Sequence, residues 1–302
     1  MEPLRLGWLD EAGVQVAVLR LDQVDPLLSG NKGYKLAHHL EAARSAGATG
    51  LISLGGAHSN HLHALAAAGQ RFGLATIGLL RGEPQVTPTT DDLQHFGMTL
   101  HWLGYGGYRA RHQADFFDAW RLRYPGFYCI PEGGGGLPGA RGCAPLVALA
   151  EVQLPRLGWA DHQGWWLAAG TGTTVAGLVI GEAASTRRPV FGALAGPASH
   201  QLDDAVRQLV NEAGVDAGPY QLLDASRGGF ARFDAGLARF MFETEAESGL
   251  PLEPVYTAKA MMALRLHVEA EYFVRGTRLV FVHTGGLQGR RAALPRLNEL
   301  LR

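Results

Sequence analysis

The chain has few cysteines, almost no net charge and no long apolar run, and each shortage excludes something. Its two cysteines, Cys129 and Cys143, form no CxxC pair, so neither a disulfide framework nor a thiolate zinc site is expected. A reducing cytoplasm is the expected compartment. With 27 basic against 28 acidic residues spread along 302 positions, the net charge of -1 leaves no basic stripe for nucleic acid or an anionic membrane. Small molecules are the expected partners. The best apolar candidate, residues 175–180, is bounded by Thr174 and Glu182 and falls short of the roughly 18 residues a membrane span needs. The opening MEPLRLGWLDEAGV carries early acids and lacks the basic and apolar regions of a signal peptide, so no export is expected.

What the chain does have is 47% hydrophobic residues, enough for a real core, and 41 glycines that cluster at particular joints. From residue 36 helix-like and strand-like segments alternate without an internal repeat or a long linker. Leu36, Leu40 and Ala43 recur at helical spacing, and residues 61–72 form an Ala-rich helix closed by Gly73. Short apolar runs predict strands at 51–54, 74–80, 98–103, 126–130, 165–169, 189–194 and 278–283. Strands joined by crossover helices imply an α/β fold with mainly parallel sheets, whose ligands lie beyond the carboxyl ends of the strands. Three strand ends carry glycine-rich joints: LISLGGAHSN, WWLAAGTGTTVAG and LVFVHTGG.

The joint Gly170-Thr171-Gly172-Thr173-Thr174 precedes a predicted helix, where free backbone N–H groups and hydroxyls suit a phosphate dianion or close a plain tight turn. It is neither a Rossmann fingerprint nor a Walker A loop, since the glycine spacing is wrong and no GK[ST] follows. In Ser29-Gly30-Asn31-Lys32-Gly33-Tyr34-Lys35 the two lysines lie three apart and share a face if the next helix starts early. An arbitrary loop lysine is normally solvated, so that segment means little alone. His58, His61 and His63 match no common zinc spacing, and no metal is expected. Ser59 lacks the GxSxG elbow of a serine hydrolase and, with Asn60, reads better as a helix N-cap.

Together, and in this order, the segments SGNKGYKL at 29–36, GGAHSNH at 55–61, IPEGG at 130–134, GTGTT at 170–174, EPVYTAKAM at 253–261 and HTGG at 283–286 resemble one family. It is the pyridoxal-phosphate-dependent ACC deaminases and D-cysteine desulfhydrases of the tryptophan-synthase-β type (fold type II), and the likeness runs from about residue 25 to 300. The resemblance implies two open, mainly parallel sheets wrapped by helices, with a larger domain of residues 1–45 plus 129–302 and a smaller one of 46–128 around the cofactor cleft. It makes Lys32 the lysine that carries pyridoxal 5′-phosphate, with Lys35 near the phosphate and Thr171, Gly172, Thr173 and Thr174 as the phosphate cup. Asn60 would bond the cofactor's phenolate oxygen. Ser59, Asn60, His61 and Phe230 would line the substrate pocket, and Tyr256 would be the proton-transfer group.

Two departures bear on the substrate. Thr257 stands where ACC deaminases carry a glutamate near the pyridine nitrogen, and Thr284 where they carry leucine; D-cysteine desulfhydrases favour small hydroxyl residues at both. A hydroxyl leaves the ring nitrogen less charged than a carboxylate would, which suits loss of a good leaving group better than opening a cyclopropane. Phe230 replaces a tyrosine common in the family. The expectation is therefore a lyase that releases a 2-oxo acid and ammonia from D-cysteine or a related small amino acid, assembled as a homodimer. The alternatives are ACC deamination, a non-catalytic cofactor-binding protein, which Phe230 keeps open, and a colourless serine hydrolase on Ser59.

Overall fold

Runs of branched and aromatic residues alternate with alanine-rich stretches, and the backbone follows that alternation. A computed structural model describes residues 1–197 and 201–302. The chain opens with β1 (Glu2–Leu4), α1 (Gly7–Ala12), β2 (Gln15–Arg20) and α2 (Asn31–Ser45). It continues through β3 (Gly50–Gly55), α3 (Asn60–Phe72), β4 (Ala75–Leu80), α4 (Pro88–His95), β5 (Thr99–Trp102), α5 (Gly104–Arg109), α6 (Asp118–Arg123) and β6 (Phe127–Cys129). There follow α7 (Gly136–Cys143), α8 (Leu146–Glu151), β7 (Gly164–Ala169), α9 (Thr173–Ala183), β8 (Val190–Leu194), α10 (Leu202–Ala213) and β9 (Tyr220–Asp224). The last elements are α11 (Ala235–Ser248), α12 (Thr257–Glu269), β10 (Arg278–His283) and α13 (Leu287–Leu300).

The strands form two sheets. One has six strands in the order β1-β2-β10-β7-β8-β9, and the other four in the order β5-β4-β3-β6. All pairings are parallel except β1 with β2. β3 and β7 are buried at every position, as parallel strands covered on both faces must be, and that is why they read as unbroken apolar runs. On β7 the period of two sends successive indoles to opposite faces. Trp165 joins the cluster with Val175, Ala176 and Val179 of α9, while Trp166 joins the one with Ala260 and Leu264 of α12. Each indole N–H is satisfied where it lands, Trp165 donating to Glu182 at 2.7 Å and Trp166 to the Ala260 carbonyl at 2.8 Å. Truncating either ring to alanine costs about 3–5 kcal/mol.

All seven predicted strands are present. β1, β2 and β9 were not predicted: β1 and β9 are edge strands with partly exposed side chains, and β2 lies in the divergent first 24 residues. Cys129, placed at the start of the larger domain by the resemblance, pairs with Ile52 and closes the four-stranded sheet. α2 also leans on that sheet, since Leu36 and Ala43 share a core cluster with Leu51, Leu62 and Ile130. Among the described residues no helix is long and apolar enough to cross a membrane.

Candidate active site

The glycine-rich joints meet because glycines let backbone touch backbone there. A Cβ on Gly30 would lie 2.0 Å from the Thr284 carbonyl oxygen, so the start of α2 is pressed against the end of β10. The Asn31 N–H donates to that same carbonyl at 3.1 Å. α2 begins at Asn31, early enough to put Lys32 and Lys35 on one face a turn apart. Lys35 is buried and its ammonium donates to the Gly133 carbonyl at 3.4 Å and the Thr171 hydroxyl at 3.5 Å, both long contacts. Burial pulls both lysines below the usual value, and the charge of Lys35 adds to the burial that pushes Lys32 well down. Neither lysine forms an ion pair among the described residues. Lys32 is thus biased toward the free amine, the nucleophilic form.

The expected phosphate cup lies at the start of α9. Its first-turn amides have no acceptor within the helix, and its N-cap, Gly172, takes φ +74°, a left-handed conformation costly for any other residue. The Thr171 and Thr173 hydroxyls are 3.1 Å apart, and the Asn31 amide donates to the Thr174 hydroxyl at 2.8 Å, tying α2 to α9. The positive end of the helix and the Lys35 ammonium, which donates to Thr171, therefore face the same space. A Cβ on Gly172 would point the other way, 2.9 Å from Val206 of α10. Glycine is needed there for its backbone conformation and for helix packing.

At the start of α3, Ser59 is the N-cap and accepts the Leu62 N–H at 3.2 Å. Asn60 is half-buried, and its side-chain oxygen accepts from Gln288 of α13 at 2.9 Å. The three histidines do not converge: His58 is exposed, His63 faces Asp92 at 3.2 Å, and His61 turns inward. Ser53 donates its hydroxyl proton to the Ile130 carbonyl at 2.8 Å, so it accepts from His61 Nε2 at 2.8 Å. That tautomer leaves Nδ1 a bare acceptor, buried without a partner beside Gly134. Burial and the charges of Lys32 and Lys35 hold the imidazole well below its ordinary pKa. His61, expected in the substrate pocket, links α3 through Ser53 to the turn at 130–134.

Tyr256 is the N-cap of α12, packed against Gly170 of the glycine-rich joint and edge-on to Phe230 at 5.8 Å between ring centres. Burial, with Glu253 and Glu132 nearby, raises its phenol far above the normal value. Glu253 is buried, and its carboxylate accepts the N–H groups of Val255, Tyr256 and Thr257 at 2.9, 2.6 and 2.7 Å. The Thr257 hydroxyl is also engaged, accepting the Glu253 N–H at 2.9 Å. Thr284 lies buried at the end of β10 and supplies its carbonyl to α2.

The sequence of this chain matches the pyridoxal-phosphate dependent enzyme family over residues 3–285. The chain belongs to that family. This pyridoxal-phosphate-dependent enzyme is 28% identical over 297 residues to the D-cysteine desulfhydrase of Yersinia enterocolitica, covering 92% of this chain and 88% of that one. It is 26% identical over 296 residues to a bifunctional D-cysteine desulfhydrase/1-aminocyclopropane-1-carboxylate deaminase of Arabidopsis thaliana, covering 92% and 73%. Its fold superposes on the crystal structure of an ACC deaminase homologue with a TM-score of 0.87 at 26% identity, covering 99% of this chain and 93% of that one.

The residues present fit the cofactor. It needs an amine of depressed pKa and a cup for a dianion, and the enzyme offers Lys32 and Lys35, neither in an ion pair among the described residues, and the free amides of α9. Sequence reasoning missed Asn31, Ser53, Glu253 and Gln288, which hold the expected residues in place. Asn31 and Glu253 sat inside the quoted motifs, but polar side chains beside a motif carry no mark of what they will bond.

Proposed function

We propose that this enzyme is a lyase that eliminates the β-substituent and ammonia from D-cysteine or a related β-substituted D-amino acid, leaving a 2-oxo acid. Bound pyridoxal phosphate supplies an electron sink for the carbanion formed at Cα. In this reading Lys32 would hold the cofactor covalently, and its amine, biased toward the free form, would accept the Cα proton. Thr171, Gly172, Thr173 and Thr174 hold the phosphate with Lys35, and Asn60 orients the ring. Ser59 and Asn60, at the positive end of α3, receive the substrate carboxylate. Tyr256 stays protonated because its pKa is raised, so its phenol serves as a hydrogen-bond donor to the departing group. Phe230 walls the pocket beside it and bears no hydroxyl of its own.

One observation carries the substrate choice: Thr257 and Thr284 are buried at the two positions discussed, and the nearby carboxylate of Glu253 is already committed to three backbone amides. No free carboxylate is thus left to hold the ring nitrogen protonated, which favours substrates whose β-group leaves readily. A cytoplasmic homodimer with the cleft between residues 46–128 and the rest belongs to the same reading; the free cysteines and the family resemblance support it.

The test is release of 2-oxo acid from D-cysteine, β-chloro-D-alanine and ACC. The first two should turn over faster than ACC, and the double change Thr257→Glu with Thr284→Leu should move the ratio toward ACC. Faster ACC turnover by the parent, or an unchanged ratio in a folded, cofactor-loaded double mutant, would contradict the assignment.

A further inference from the structure

Lys259 lies one turn beyond Tyr256 on α12 and is 1% exposed, yet it forms no ion pair among the described residues. Its ammonium donates instead to three backbone carbonyls, Ala195 at 3.0 Å, Ser226 at 2.8 Å and Gly229 at 2.8 Å. An ammonium has three protons, and each has an acceptor here. The carbonyls come from separate places: Ala195 follows β8, while Ser226 and Gly229 belong to the loop after β9 that leads to Phe230. Three carbonyl dipoles converging on one buried point repel one another unless a cation sits between them, and rings of carbonyls are how proteins replace the hydration shell of a monovalent ion. Burial lowers the ammonium's pKa to about 8, with Arg227 lowering it and Glu253, Asp224 and Asp234 raising it, so the side chain is still mainly charged at neutral pH.

We propose that Ala195, Ser226 and Gly229 form a monovalent-cation cage which this chain fills with its own Lys259 ammonium, and that this built-in cation positions the wall of the cleft made by Phe230 and Tyr256. Lys259 is thus a positioning residue. It clamps the Phe230 loop to the helix whose N-cap is Tyr256, the two rings standing 5.8 Å apart. Removing the ammonium should not destroy the cage. It should leave one that takes an ion from solution.

The experiment measures Tm and turnover of the holoenzyme in potassium, ammonium or tetramethylammonium chloride at equal ionic strength. The native enzyme should be indifferent to which cation is present. Lys259→Ala should have a lower Tm in tetramethylammonium, raised by at least about 2 °C in potassium or ammonium. Its turnover should recover several-fold in the same two salts. Lys259→Met, which fills the space with an apolar chain, should respond to none of them. Activation of the native enzyme by potassium would overturn the proposal, because the cage would not then be filled. So would a folded Lys259→Ala that ignores potassium and ammonium, or one that responds equally to tetramethylammonium. If Lys259→Ala cannot be obtained folded, a Lys259→Met that gains from potassium as much as from ammonium would equally sink the idea, while a cation-indifferent native enzyme and Lys259→Met would sustain it. The Tm readings do not depend on which substrate the enzyme takes.

Discussion

Single residues carry two jobs in this site, chemistry and geometry, and the two are separable by substitution. Gly172 is geometric: its φ of +74° and the 2.9 Å approach to Val206 leave no room for a side chain. Placing alanine there costs about 1–2 kcal/mol in backbone strain alone, which corresponds to a roughly 5–30-fold loss of cofactor affinity if it falls on the loaded state. Thr173→Ala removes one hydroxyl contact, to Thr171, and leaves the amides of α9 in place. A cofactor titration should therefore rank Gly172→Ala well below Thr173→Ala in affinity; the opposite order would mean that hydroxyls and not amides hold the phosphate. The expected roles of Lys32, Lys35 and the Thr-Gly-Thr turn came from the resemblance to the family, because residue type and spacing alone also fit a solvated lysine and a plain tight turn. The inward turn of His61 was not legible, because it depends on Ser53 and the Ile130 carbonyl, brought together only by folding.

At the scale of elements, the cup is steadied by helices packed so closely that backbones touch. A Cβ at Gly142 of α7 would lie 2.1 Å from the Tyr34 carbonyl oxygen of α2, and one at Gly177 of α9 would lie 2.5 Å from the Ala140 carbonyl oxygen of α7. α7 is thus wedged between the helix that bears the lysines and the helix that forms the cup. Alanine at either glycine should cost about 1–3 kcal/mol, read as a lower Tm, because backbone must move to admit the methyl group. Gly106→Ala, at an open position of α5, should be neutral or slightly stabilising and serves as the control. Equal effects at all three positions would show that the seam is not tight. The sequence revealed glycines at these joints but could not distinguish those required by a turn from those required by a neighbouring helix.

For the whole molecule, the positions of the buried strands along the chain were readable from their apolar runs, while the buried polar network was not. That network sets the response to acid. His162 is buried, bonded through Nδ1 to the Gly164 carbonyl at 3.1 Å, with Nε2 facing no partner. Burial, then Arg188, lowers its pKa from 6.5 to about 4. His61 and His283 are also lowered, chiefly by burial. Between pH 6.5 and 4 the unfolded chain takes up protons that folded His162 refuses, so stability falls as the pH drops through that window. His162 alone accounts for up to about 3 kcal/mol by the lower end. Tm should fall over this range in the native enzyme and fall less steeply in His162→Asn; identical slopes would show that His162 keeps its ordinary affinity for protons.

The central claim is that Lys32, and no other lysine, carries the cofactor. Holoenzyme reduced with borohydride and cut into peptides should bear the pyridoxyl group on the peptide containing Lys32, and Lys32→Ala should lose both the yellow colour and the adduct. A pyridoxyl group on Lys35 or on Lys259, or a folded native protein that takes up no pyridoxal phosphate, would contradict the account.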